Sequence, residues 1–223
     1  LVPQVGGRPG GMLLGLSSYH GFMRRPTFRR LEAELAGDAL VEALRDPKNR
    51  AAILGEQDVP VTPSEQFGAM TEAMPFPFPA MYPLGNPPNY EQTADRSIAG
   101  IAEATGKDAW EVHYDLLVSG EWVLGAFTNY AQASQDALRT MIEDPCTILG
   151  LSDGGAHVKM ICDASVPTYM LTHWARDRER GERLELEDVV KKQCSATARI
   201  VGMHDRGTIK VGPKADLKVV DFE

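Results

Sequence analysis

The chain has 223 residues, 43% of them hydrophobic, which is enough to bury a substantial core in one large or two small domains. A formal net charge of -8 sets an average field that repels a phosphate backbone, so the composition argues against nucleic acid as the main partner. No run approaches the ~18 uninterrupted apolar residues of a membrane helix, and the N-terminus lacks a basic-then-apolar signal layout, so no membrane partner is expected. Three cysteines, Cys146, Cys162 and Cys194, without C-x-x-C spacing, imply neither a disulfide framework nor a closed zinc knot and suit a reducing, cytoplasmic setting.

The opening LVPQVGGRPGGMLLGL reads as a short strand entering a glycine-rich turn. Arg8 within it is a candidate anion anchor by virtue of its bidentate fork, with an ordinary surface arginine as the alternative. From Pro26 to Glu56 the pattern is helical: Pro26 and Pro47 suit first helical turns, and Leu40, Leu44, Ile53 and Leu54 are spaced for a buried stripe. Eight of the fifteen prolines lie between Pro60 and Pro88, a density that forbids a regular helix or a central strand. Phe67, Phe76, Phe78, Met81 and Tyr82 give this excursion more apolar mass than a flexible linker carries.

Two helices are predicted next, about Ala94 to Thr105 and Asp108 to Leu117, divided by Gly106, with His113 beside the apolar face of the second. Trp122 to Phe127 reads as a strand, Ala131 to Ile142 as a helix and Cys146 to Leu151 as a strand, an order that predicts a right-handed crossover between parallel neighbours. Ser165 and Pro167 have the chemistry of a helix start that carries Met170, Leu171 and Trp174 inward. The charged run RDRERGER reads as that helix's solvated end. A further helix, about Leu186 to Val201, precedes hairpin-like alternation: Gly207 to Val211, a Gly212-Pro213 turn, and Ala215 to Val219.

The junction ILGLSDGGAH, Ile148 to His157, carries the chemistry. Loops at the carboxy ends of parallel strands vary while the sheet stays rigid, so functional groups gather there. Asp153-Gly154-Gly155 is compatible with a plain tight turn. Gly150-Leu-Ser152-Asp-Gly154 also satisfies G-x-S-x-G, the nucleophile elbow, with Asp163 and His204 completing a triad in chain order. The elbow, however, requires a helix directly behind the serine, and Gly154-Gly155 stands there instead. In a third reading Asp153 is a rim carboxylate that binds a divalent metal or its water and carries a proton during hydrolysis.

Two segments support the third reading by resemblance. TILGLSDGGAH and GTIKVGPKADLKVVD, with the helices between them, resemble the amidohydrolase superfamily and within it the N-acyl-D-amino-acid deacylase (D-aminoacylase) branch. The likeness covers Trp122 to the end well and the first half loosely. It implies the C-terminal part of a (β/α)8 TIM-type barrel over residues 1–204, with an irregular insertion at 56–93 and the start of a small β-sandwich at 205–223. It also implies a zinc or other divalent-metal hydrolase that cleaves the amide of an N-acyl-D-amino acid, a small-molecule substrate. Asp153 is the position that matches the family's proton-carrying, metal-binding aspartate; Gly154, His157 and Arg8 are the substrate-binding candidates. No H-x-H pair is present, and the branch's carboxylate-binding arginine after the Ser-Asp-Gly loop has no counterpart, since Val158 to Pro167 holds Lys159 but no Arg. A chain that opens on Leu1 and stops within a strand-like alternation is expected to be part of a longer enzyme and inactive by itself. The unpaired N–H and C=O groups of an incomplete sheet edge invite oligomerisation. A serine hydrolase using Ser152, or a non-catalytic structural remnant, are the competing readings. Cys162 is expected to be buried and inert, and Asp163 to pair with Lys159.

Overall fold

Residues 1–60, 75–128, 134–150, 161 and 163–222 are described by a computed structural model of the chain. It is a mixed α/β structure that divides into two units, the first made of Leu1–Gly10 with Phe127–Glu223, the second of Gly11–Ala126. Among the described residues no helix is long and apolar enough to cross a membrane.

The second unit is largely helical, and local chemistry sets its helix ends. Strand β2 spans Gly10–Leu14. Helices α1 (Pro26–Glu34), α2 (Asp38–Arg45) and α3 (Pro47–Gly55) follow, with proline in the first turn of α1 and α3 where a missing N–H removes no hydrogen bond. Asp46 caps α3 by accepting from the Lys48 and Asn49 amides at 2.7 and 3.4 Å. Helix α4 (Ile98–Thr105) is capped by Ser97 and ends at Gly106, whose φ of 67° is the left-handed conformation that glycine adopts without strain. Helix α5 (Ala109–Val118) opens with a reciprocal capping box between Asp108 and Glu111. Phe22, Phe28, Leu31, Leu44, Ile53, Tyr114 and Leu117 pack into one buried cluster, with Leu40 and Leu54 against it.

The proline-rich excursion contributes more order than a linker. Phe76 stacks on Tyr19 with ring centroids 5.8 Å apart, and Met81–Pro83 forms strand β3, antiparallel to β4 (Val123–Thr128). β3 is an edge of the sheet β2-β4-β3, the one place a strand tolerates proline. Residues 61–74, including Phe67, lie outside the described residues.

In the first unit, β1 (Gln4–Gly6) pairs in parallel with β5 (Ile148–Gly150), and α6 (Asp136–Glu143) buries Leu138 and Ile142. Helix α7 (Val166–Tyr169) continues through π-helical turns over Met170–Asp177; Met170 and Trp174 are fully buried, as their spacing predicts. Ser165 precedes this helix without a side-chain cap hydrogen bond. Helix α8 (Leu186–Lys191) runs through π-helical turns into α9 (Thr197–Ile200). A Cβ on Gly7 would lie 2.7 Å from Met170 Sδ and from Val166 Cγ1, so glycine here lets α7 lie directly on the turn after β1.

Three expectations need correction. The strand at Ile148 does not pair with β4 across the α6 crossover but with β1, in a separate sheet, so among the described residues the strands form two small sheets. The predicted hairpin of 207–219 contains no strand, and Ile209, Val211 and Val219 are 90%, 103% and 102% exposed. Two short alternating segments without a third strand or a helix to cover their apolar face are marginal on their own.

The third correction is in RDRERGER, whose Arg178 is buried. Its guanidinium lies 4.8 Å from the Trp174 ring centroid and donates to the Glu182 carbonyl at 2.7 Å and to Asp136 at 2.6 Å. The Arg178 side chain is 0% exposed and that of Asp136 73%, so packing and the carbonyl bond outweigh the screened charge pair. Arg178→Ala is expected to destabilise the protein by about 2–4 kcal/mol in urea denaturation, and Asp136→Asn by under about 1 kcal/mol. Equal losses for the two variants would show that the charge pair dominates.

Candidate functional site

Parallel pairing in the register Gln4↔Ile148, Val5↔Leu149, Gly6↔Gly150 makes the carboxy ends of β1 and β5 leave their sheet side by side. This is the edge at which parallel α/β sheets present functional groups. Beyond β1 the chain passes Gly7 and reaches Arg8, and beyond β5 it enters the SDGGAH segment. Ser152, Asp153, Gly154, His157 and Lys159 lie outside the described residues, as does Cys162.

Arg8 is not a surface residue. Its side chain is 7% exposed, and Nη2 donates to Asp163 Oδ1 at 3.0 Å. Asp163 opens the turn that leads into α7. Trp174 holds the turn after β1, its indole N–H donating to the Gly7 carbonyl at 2.6 Å. The Arg8 guanidinium is thereby fixed at the carboxy edge of β1 by a half-buried carboxylate and a packed helix. Removing either member of such a pair strands the other charge in a low-dielectric setting.

The remaining candidates separate. Asp163 engages Arg8, while His204 is exposed in an irregular segment and makes no hydrogen bond to it, so the triad of Ser152, Asp163 and His204 is not assembled at its Asp–His step. Cys146 and Cys194 are free and exposed. His173 stacks on Tyr169 with centroids 4.6 Å apart. Among the described residues no three His, Cys, Asp or Glu side chains converge to hold a metal ion, so those residues do not by themselves fit a metal centre.

The family model for the amidohydrolase family matches residues 7–223. The chain belongs to the amidohydrolase family. Neither the curated proteins nor the solved structures compared with it give a match. Amidohydrolases are hydrolases that usually bind divalent metals. The Arg8–Asp163 pairing was not legible in the sequence of this amidohydrolase domain, because 155 residues separate the partners.

Two histidines of the domain belong to packing. His20 and His113 are 1% and 0% exposed within an aromatic cluster: His20 meets Phe28 edge-on at 4.6 Å, and His113 stacks on Phe22 at 5.5 Å. His20 Nδ1 accepts from the Phe22 amide at 3.2 Å, whereas neither ring nitrogen of His113 has a hydrogen-bond partner. Burial disfavours the imidazolium and pulls His20 down to about 3, with His113 adding a smaller repulsion, and pulls His113 down to about 4. Both values lie below the ordinary 6.5, so the unfolded chain takes up the extra protons. Their contribution to stability is therefore complete above about pH 6.5 and falls as the pH drops, by about 1.4 kcal/mol per pH unit per group, until the folded values are reached. His113→Phe is expected to raise the melting temperature near pH 5 by more than it does near pH 7.5; the same shift at both pH values would remove His113 from the acid response.

Proposed function

We propose that this amidohydrolase cleaves a linear, non-peptide amide, with N-acyl-D-amino acids as the substrate class and Asp153 as the proton carrier. The supporting observation is the parallel register of β1 and β5, whose carboxy ends at Gly6 and Gly150 precede Arg8 and the Ser-Asp-Gly motif in the sequence. In a (β/α)8 barrel that edge is the catalytic face. Arg8, Gly154 and His157 are the residues proposed to meet the substrate. A guanidinium fork matches a carboxylate, and the product of deacylation carries a carboxylate at its α-carbon.

The proposed proton path is short. An ionised Asp153 accepts a proton from the attacking water as its oxygen bonds to the amide carbon, then returns that proton to the nitrogen as the C–N bond breaks. A carboxylate suits both halves, and a positioned acid–base group of this kind contributes about 10²–10⁴-fold in rate. Zinc or another divalent metal belongs to the proposal through the family; because the described residues supply no ligand set, no step is derived through it.

In the full-length gene product, Asp153→Asn is expected to lower kcat/KM for N-acetyl-D-amino acids by about 10²-fold or more while leaving the far-UV circular dichroism unchanged. Chelator-sensitive turnover would accompany it. Undiminished turnover by Asp153→Asn, or loss of turnover on fluorophosphonate labelling of Ser152, would overturn the assignment.

A further inference from the structure

The second unit contains a cavity of about 140 Å³ that no part of the hydrolase chemistry uses. Tyr19, Phe76 and Trp110 form an aromatic wall, and Arg24, Arg25 and Asp58 form a polar end. The wall is built from rings in mutual contact: Phe76 stacks on Tyr19 with centroids 5.8 Å apart and lies 5.3 Å from Trp110 at a tilt of 54°. Gly21 lies beneath Trp110, where any side chain would collide with the indole, so the backbone at this point keeps the pocket open under the ring.

The polar end holds two guanidinium groups and one carboxylate. Asp58 Oδ2 accepts from Arg24 Nη2 at 2.8 Å, and Oδ1 lies 3.1 Å from Arg25 Nε. The second contact is an ion pair in distance but not a hydrogen bond in direction: Arg25 Nε is buried and makes no hydrogen bond among the described residues. The Arg25 side chain is only 13% exposed, with its guanidinium carbon 5.9 Å from the centroid of the Trp110 ring. A guanidinium presents five donors in a planar fork that matches a carboxylate bidentately, and an unmet buried donor carries a desolvation penalty. His20, which also lines the cavity, is neutral at physiological pH because burial disfavours its cation, so Arg25 supplies the local demand for an anion.

We propose that this cavity binds a monocarboxylate carrying one aromatic ring or an apolar group of similar size, with the carboxylate on Arg25 and the ring against Trp110 and Phe76. The volume decides the ring size, since a cavity of about 150 Å³ accommodates benzene. The charge decides the head group, since a carboxylate meets a guanidinium as a charge-assisted, bidentate acceptor and a neutral hydroxyl does not. The site lies wholly within the second unit and is independent of the Asp153 chemistry, so Asp153→Asn leaves it unaltered.

The test titrates the purified chain with benzoate and, separately, with benzyl alcohol, following intrinsic tryptophan fluorescence and heat of binding. Benzoate is expected to saturate with a dissociation constant of about 1 mM or below and to bind at least about tenfold more tightly than benzyl alcohol. Arg25→Gln is expected to bring benzoate down to the level of benzyl alcohol while leaving the folded spectrum intact. Equal affinity of the unmodified chain for the two ligands, or no saturation by benzoate, would overturn the proposal, and neither outcome depends on whether the variant folds. Unchanged benzoate affinity in folded Arg25→Gln would overturn it as well.

Discussion

The parallel pairing of Gln4–Gly6 with Ile148–Gly150 is the constraint on which the first unit depends. Closing a loop of this length costs only slightly more than closing one half as long, because the entropy grows with the logarithm of loop length. Once the pairing forms, two further long-range contacts become available on the same turn: Arg8 to Asp163 and the Trp174 indole to the Gly7 carbonyl. Gly7 makes the second possible, since a side chain there would occupy the space of Met170 and Val166. The strand pair, the glycine and the tryptophan therefore act together, and what they position is a buried arginine at the sheet's carboxy edge.

The buried and partly buried cations of the first unit differ in what holds them. Arg8 faces a carboxylate that is itself 13% exposed, so its charge is compensated within the protein. Arg178 is compensated partly by a carbonyl and an indole face, with a solvent-exposed aspartate as the third partner. Lys192 takes a third solution: its ammonium donates to the carbonyls of Asp144 and Thr147 at 2.8 and 3.2 Å, joining α8 to the turn before β5. Partial burial lowers its pKa, an effect opposed by Asp144 and Asp188. Each arrangement satisfies donors that burial would otherwise leave without water.

The second unit handles polar burial differently. Its histidines are kept neutral among aromatic rings, which ties its stability to pH, and the Nε of its Arg25 is buried without a hydrogen bond at the edge of a cavity. The first property is a consequence of packing two imidazoles into an apolar cluster; the second is an opportunity for a ligand. Both arise in the same stretch, Tyr19–Arg25, where the chain passes beneath the α5 aromatics.

Local sequence determined the helix ends: Pro26 and Pro47 in first turns, the Asp108–Glu111 box, and Gly106 as a stop each act within four residues, and each is present where the pattern places it. It also carried the family, through motifs that lie between Trp122 and the end, whereas the edge strand Met81–Pro83 lies within a stretch whose prolines read as an irregular insertion. The partner of β5, the burial of Arg178 and of Arg8, and the open, unladdered state of 207–219 were decided only by tertiary structure. Alternation and charge runs report which faces of a segment are apolar or charged, but not whether a partner arrives to cover them. That partner comes from residues more than a hundred positions away for β5 and Arg8, and over 40 away for the Asp136 that meets Arg178.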